Sequence, residues 1–280
     1  MRGMKTRAVC AALGLLLGLP IVSGCAGKNK ELDEASTMSA QDTYSKGLDQ
    51  LSRRKLTNAV STFQLVDLRF FDPVERRDLE PLVKLGLADA TFYQGHDIAL
   101  IDARSLYHDF VTLYPDHDLA PYAQFQAGIC SLKQVNHPSK DQTQTYQAIQ
   151  ALREVERRFP TSRFVKAARD MLRMAEANLV EHEFIVGSFY AKRKAYTAAI
   201  QRFRRALNEY PDALEREKVV FNLGRALFLA DQKVEGKLYL DKLLADYPGS
   251  EYAAEAKAML SQFGGELQGE LELSADGKID

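Results

Sequence analysis

Residues Glu183 to Pro211, EFIVGSFYAKRKAYTAAIQRFRRALNEYP, decide how this chain of 280 residues is read. Gly187 and Tyr190 lie one helical turn apart, and Ala199, Phe203 and Ala206 fall at i, i+4 and i+7, so each set shares one face of a helix. Between the two sets stands Arg193-Lys194-Ala195-Tyr196, a short turn. The pattern predicts two antiparallel helices whose small residues, Gly187 and Ala199, let the backbones approach while Tyr190 and Phe203 fill the space beside the contact. Pro211 ends the second helix, since proline has no N–H to continue the ladder.

The same pattern returns along the sequence. An interval of twelve from the second small residue to a proline recurs as Ala103 to Pro115, Ala148 to Pro160, Ala199 to Pro211 and Gly236 to Pro248. Each copy closes on an aromatic-proline pair: Tyr114-Pro115, Phe159-Pro160, Tyr210-Pro211 and Tyr247-Pro248. A first copy carries Gly47, Ala59 and Phe63 at the template spacing, with Pro73 two residues late. These offsets resemble the tetratricopeptide repeat, whose period is about 34 residues. The expectation is all-α: a superhelical array of about five helix hairpins over residues 41–263, closed by a capping helix from Ser250 to Phe263.

Departures from the template predict local features. Pro81 is expected to open the helix that carries Leu85, Ala88 and Phe92, and Gly95-His96-Asp97 absorbs three extra residues in the second repeat. In the third, Asn136 to Thr143 is an eight-residue polar insertion, a candidate contact surface. Ser162 and Ser250, each two residues past a repeat-ending proline, are placed to cap the next helix. From Ser162 the helical pattern runs unbroken to about Lys192, predicting one long helix joining the third and fourth repeats. Gly264-Gly265 is expected to end the capping helix. Residues 264–280 then read as a disordered acidic tail.

The start of the chain is read as targeting information. Arg2, Lys5 and Arg7 precede an apolar run from Ala8 to Leu19, too short for a stable membrane span. Val22-Ser23-Gly24-Cys25 resembles the lipobox of bacterial lipoproteins, in which the peptidase cuts before a lipid-modified cysteine. Residues 1–24 are thus a signal peptide, Cys25 the lipidation site and 25–40 a flexible polar linker with a reach of roughly 20 Å. In lipoproteins of this kind an aspartate after the cysteine marks inner-membrane retention. Ala26 stands there instead, which points to the outer membrane.

Chemistry is conspicuously sparse. The five histidines are scattered; Asp116-His117-Asp118 sits where a turn must cap the next helix, and Glu181-His182-Glu183 lacks the second histidine of a zinc-protease helix. Phosphate loop, dinucleotide fingerprint and nucleophile elbow are all missing from the sequence, so no cofactor, no metal and no enzymatic activity are expected. Cys130, left after Cys10 departs with the signal and Cys25 takes lipid, reads as a small buried apolar residue. Removing Arg2, Lys5 and Arg7 leaves 34 basic against 38 acidic residues, which excludes a nucleic-acid footprint.

Lipobox, linker and five repeats in this order resemble the BamD/ComL family of outer-membrane β-barrel assembly lipoproteins. The most telling residues are Tyr190, Arg193, Ala195, Tyr196 and Ala198, followed by Phe203 and Tyr210-Pro211. The resemblance implies that the carboxy-terminal repeats bind the periplasmic domain of BamA, with Arg193 and Tyr196 as partner-binding residues. It also implies that other lipoproteins of the complex join and that the amino-terminal repeats receive unfolded outer-membrane β-barrel proteins. A repeat lipoprotein serving pilus biogenesis or the Tol-Pal system shares the architecture, although no heptads precede Gln41. In this fold, positions 2, 5, 9, 12 and 13 of each first helix point to the inner surface. Counted from Gly47, Ala88 and Gly128 as position 8, they nominate Tyr44, Leu48, Phe92, Tyr93, Tyr122 and Phe125 as a peptide groove, where rigid aromatic side chains bury large area at small entropic cost.

Overall fold

A computed structural model describes residues 38–67, 73–214 and 216–276. The expected signal peptide, Cys25 and most of the linker lie outside the described residues, as do residues 277–280. Among the described residues there are eleven helices and no strand. They are α1 (Ala40–Ser52), α2 (Leu56–Asp67), α3 (Pro73–Gln94), α4 (Asp97–Leu113), α5 (Ala120–Leu132), α6 (Thr143–Arg158), α7 (Phe164–Lys192), α8 (Tyr196–Glu209), α9 (Glu217–Leu229), α10 (Lys233–Asp246) and α11 (Ala253–Asp276).

The helices pair into five hairpins: α1 packs on α2, α3 on α4, α5 on α6, α7 on α8 and α9 on α10, with α11 laid against α10. First helices also touch first helices, α1 with α3, α5 with α7 and α7 with α9, so this row lies on the inner side of the array. The small-residue positions explain the close pairing. A Cβ on Gly187 would stand 2.5 Å from the Phe203 ring, one on Gly47 2.7 Å from Phe63, and one on Gly224 2.7 Å from Leu240. Phe63, Tyr107, Phe203 and Leu240, each four residues past the second small position, have no exposed surface. The template is therefore one contact repeated along the stack.

The repeat ends share one conformation. Tyr114, Phe159, Tyr210 and Tyr247 lie within φ −127 to −133° and ψ 58 to 66°, because the proline after each forces it out of the helical region. The turns inside four of the five hairpins use a left-handed residue, supplied by Arg54, Gly95, Lys194 and Asp231 at φ +59 to +77°. His96 then caps α4, its Nδ1 accepting from the Ala99 N–H at 3.1 Å. The Ser162 and Ser250 hydroxyls, two and three residues ahead of α7 and α11, accept from the Phe164 and Tyr252 N–H groups, and the expected cap on α7 falls instead to Arg163, without a side-chain bond.

Two sequence expectations are corrected. Pro81 does not open a helix: α3 starts at Pro73 and carries Pro81 in its interior. An interior proline removes one hydrogen bond and crowds the preceding turn, but Leu79 before it and Val83 after it are buried in the same cluster with Phe63, so packing holds the helix on both sides. Nor does Gly264-Gly265 end the capping helix, which runs on to Asp276 through the first part of the expected tail. Glycine costs a helix only about 1 kcal/mol relative to alanine, and stops one only where it turns left-handed.

The insertion is anchored rather than free. The Nδ1–H of His182 donates to the Pro138 carbonyl at 2.6 Å, and Asn178 Nδ2 donates to Gln142 Oε1 at 2.6 Å. Both anchors stand on α7, whose 29 residues make the predicted long helix. Near its start it packs through Ala168 with Leu152 and Val155, and from Ala175 onward, through Leu179 and Val180, with the core of the last repeats.

Candidate functional site

The nominated groove residues stand on the first helices of the first three hairpins, α1, α3 and α5, and one of them needs correcting. Leu48 and Tyr93 are 41% and 42% exposed, and Tyr44, Tyr122 and Phe125 are partly buried. Phe92 is only 8% exposed and packs with Tyr107 and Leu100 between α3 and α4, so it does not line a surface. Phe125 is turned along the row, stacking on Phe164 at the start of α7 with ring centroids 5.5 Å apart. Tyr44 leans on Phe63, and Tyr93 lies beneath the guanidinium of Arg54 at 4.7 Å.

Between Tyr107 and Tyr122 stands a residue that an apolar pattern does not nominate. Asp89 Oδ1 accepts from the Tyr107 hydroxyl at 2.5 Å and from the Tyr122 hydroxyl at 2.9 Å, and Gln126 Nε2 donates to Tyr122 at 3.1 Å. Burial raises the Asp89 pKa, outweighing the two hydrogen bonds that lower it. The Tyr107 and Tyr122 hydroxyls are raised in turn, first by burial and then by the carboxylate beside them. The sequence did carry a signal for Asp89. It sits immediately after Ala88, at an inward position of the repeat, where a charge stands out among apolar neighbours.

The second candidate surface is the turn of the fourth hairpin. Arg193 follows the last residue of α7 with its side chain exposed, and its guanidinium lies 3.8 Å from the centroid of the Phe189 ring. Phe189, 47% exposed, is held edge-on by Tyr190. Lys192 and Lys194 flank Arg193 in solvent, and Tyr196, the first residue of α8, is partly buried. The turn therefore presents a flat guanidinium on an aromatic support. The sequence pattern does not single out Phe189, because it belongs to no repeat position. Further along, Leu229, Val234 and Leu238 are exposed at the α9–α10 hairpin, the last two one turn apart.

Other polar groups are already engaged. Glu183, 2% exposed, is met by Arg202 at 3.2 Å and Arg205 at 3.3 Å, and Glu176 by Arg153 at 2.6 Å. A cleft of about 680 Å³ between α4, α5 and α6 holds Arg104, His108 and Arg158, but Arg104 is taken by Gln147 and Arg158 by the Val111 carbonyl. His117 accepts from the Leu119 N–H within the turn before α5, so the expected capping is not made: α5 has Leu119 at its N-cap and takes no side-chain cap bond. Cys130 is fully buried and its thiol is pushed up to about 12 by burial.

A family model described as an outer membrane lipoprotein, YfiO, matches residues 36–227, well over half of the sequence, and a tetratricopeptide-repeat model matches residues 218–250. The chain belongs to the YfiO family. The match to the YfiO model covers both candidate surfaces, from Tyr44 to Tyr196. Curated relatives carry a common name. The outer membrane protein assembly factor BamD of Caulobacter vibrioides is 28% identical over 244 residues, 87% of this chain and 78% of that protein. BamD of Rickettsia prowazekii is 22% identical over 260 residues, 93% of this chain and 99% of that protein, and BamD of Haemophilus influenzae is 26% identical over 226 residues, 77% and 82%.

Proposed function

We propose that this YfiO-family chain is a non-enzymatic assembly factor for outer-membrane β-barrel proteins. Lipidated at Cys25 and tethered by residues 25–40 on the periplasmic face of the outer membrane, it binds the periplasmic domain of BamA through Arg193, Tyr196 and the exposed apolar residues of the last hairpins. Unfolded barrel proteins are received on the inner face of the first three repeats, at Tyr44, Leu48, Tyr93, Tyr122 and Phe125. The relatives named as assembly factors support the class of function.

The observation that carries the partner assignment is the Arg193 guanidinium resting on Phe189. An arginine so supported has already lost side-chain freedom and still directs its donors outward, which suits a bidentate contact with a carboxylate or with carbonyls of a partner. Copurification of BamA with the full chain from detergent-solubilised outer membranes tests it. Arg193→Leu should reduce recovery of BamA at least tenfold and Phe189→Ala should reduce it less, whereas unchanged recovery with Arg193→Leu removes this turn from the interface.

A further inference from the structure

The inner face contains a charge that its own fold does not answer. Glu176 and Glu183, the carboxylates that are fully buried among the described residues, are each met by arginine, whereas Asp89 is partly buried. Asp89 has no cation partner among the described residues, and both of its hydrogen bonds arrive at Oδ1. Among the described residues its Oδ2 takes no hydrogen bond and is not one of the buried side-chain atoms left without a partner. Tyr44 is close enough that the Asp89 charge raises its pKa after burial does, and Tyr122 is coupled in the same way to Tyr93. Two tyrosine hydroxyls thus converge on one oxygen of a carboxylate that has no cation partner among the described residues.

That combination has one natural complement. A positive group gains from ring faces through the aromatic quadrupole and from the carboxylate through charge, and each effect strengthens where water is partly excluded. The fold uses the first effect on this very surface, with Arg54 lying over Tyr93. A free carboxylate of a chain terminus, by contrast, meets a charge of its own sign at Asp89, while the Arg54 and Lys133 cations are already held over the Tyr93 and Phe92 rings.

We propose that Asp89, with Tyr44, Tyr93 and Tyr122, forms a subsite for an arginine or lysine side chain of the extended peptide bound in the groove. The proposal rests on the substrate-groove reading and adds a selectivity to it: a basic side chain seats at Asp89 while aromatic side chains of the same segment lie along Leu48 and Phe125. A residue kept for stability alone would be expected to pair with a cation as Glu183 does, or to be apolar. Asp89→Asn preserves the oxygen that Tyr107 and Tyr122 donate to, so it removes the charge and keeps the network.

Fluorescence anisotropy with the full chain in detergent tests this, using a labelled eight-residue peptide of alternating polar and aromatic residues with one arginine. A partner peptide has glutamine in place of arginine, and the arginine is stepped through the polar positions to find its register. In its best register the arginine peptide should bind about tenfold more tightly than the glutamine peptide, and raising salt should narrow the gap. Asp89→Asn should erase the preference by weakening the arginine peptide alone, with the melting temperature equal to or above that of the parent. Equal binding of both peptides to the parent, or equal weakening of both by Asp89→Asn, overturns the subsite and leaves the groove standing. If neither peptide binds the parent, the groove reading itself fails and the subsite with it.

Discussion

Replacing Gly187 by alanine is a demanding test of the repeat contact, because two effects of known size oppose each other there. In a helix interior, alanine is favoured over glycine by about 1 kcal/mol. Against this, the new Cβ would stand 2.5, 2.8 and 2.9 Å from three ring carbons of Phe203, a side chain with no exposed surface. Ordinary carbon contacts begin near 3.5 Å, so the ring must retreat by close to 1 Å into packing that includes Phe184, whose ring centroid is 6.1 Å away. Overpacking of this kind costs about 1–3 kcal/mol, and the size of the retreat places it in the upper half. Gly187→Ala should therefore lose about 1–2 kcal/mol net, read as a drop of several degrees in a thermal melt followed by circular dichroism. Phe203→Leu in the same background should recover part of the loss, giving a coupling of about 1 kcal/mol in a double-mutant cycle. Gly264→Ala, whose Cβ meets nothing within 4 Å, supplies the control and should be neutral or stabilising. A Gly187→Ala chain as stable as the parent would refute the close-contact account of the repeat.

The turn, the buried thiol and the lipid acceptor each offer a further test. Lys194 holds φ at +61° in an exposed turn, a conformation costing a side-chain residue about 1–2 kcal/mol, so Lys194→Gly should raise the melting temperature by a degree or more while Lys194→Val lowers it. Cys130 should resist iodoacetamide in the folded chain even at pH 9, since its thiol is pushed up to about 12; its labelling should track urea unfolding, and fast labelling in native buffer contradicts the buried assignment. Cys25→Ser should abolish incorporation of labelled fatty acid, because serine lacks the thiol that takes the lipid, and label retained in the variant excludes Cys25 as the acceptor.

The repeat array was legible because its signals are local and recur. A small residue sixteen positions before Phe63, Phe203 and Leu240 reports one contact that the chain makes again and again, and the aromatic-proline pair reports a backbone constraint that needs no tertiary context. The features that failed to show involved a contest between local preference and packing. Pro81 reads as a helix start by propensity, yet Leu79 and Val83 bury on either side of it and the helix passes through. Gly264-Gly265 reads as a stop, but the backbone takes no left-handed turn there. The candidate surfaces were half visible. Tyr44 and Tyr122 could be counted to the inner face from Gly47 and Gly128, whereas Phe92 could not be told from a core residue because the same inward row borders α4. Asp89 acquires its meaning only when hydroxyls from α4 and α5 converge on it, and no spacing within α3 announces that meeting.

The long helix α7 gives the molecule a mechanical property that a chain of separate hairpins lacks. Stacked repeats ordinarily melt piecewise, each unit coupled only to its neighbours. Here 29 residues, about 43 Å of continuous helix, are shared by the third repeat through Ala168 and by the fourth through Leu179 and Val180. Neither half can come apart without stripping part of the other's core, so the weak joint expected midway along a solenoid is replaced by a splint. The third repeat and the hairpin whose turn carries Arg193 are thereby joined without a break in the backbone helix between them.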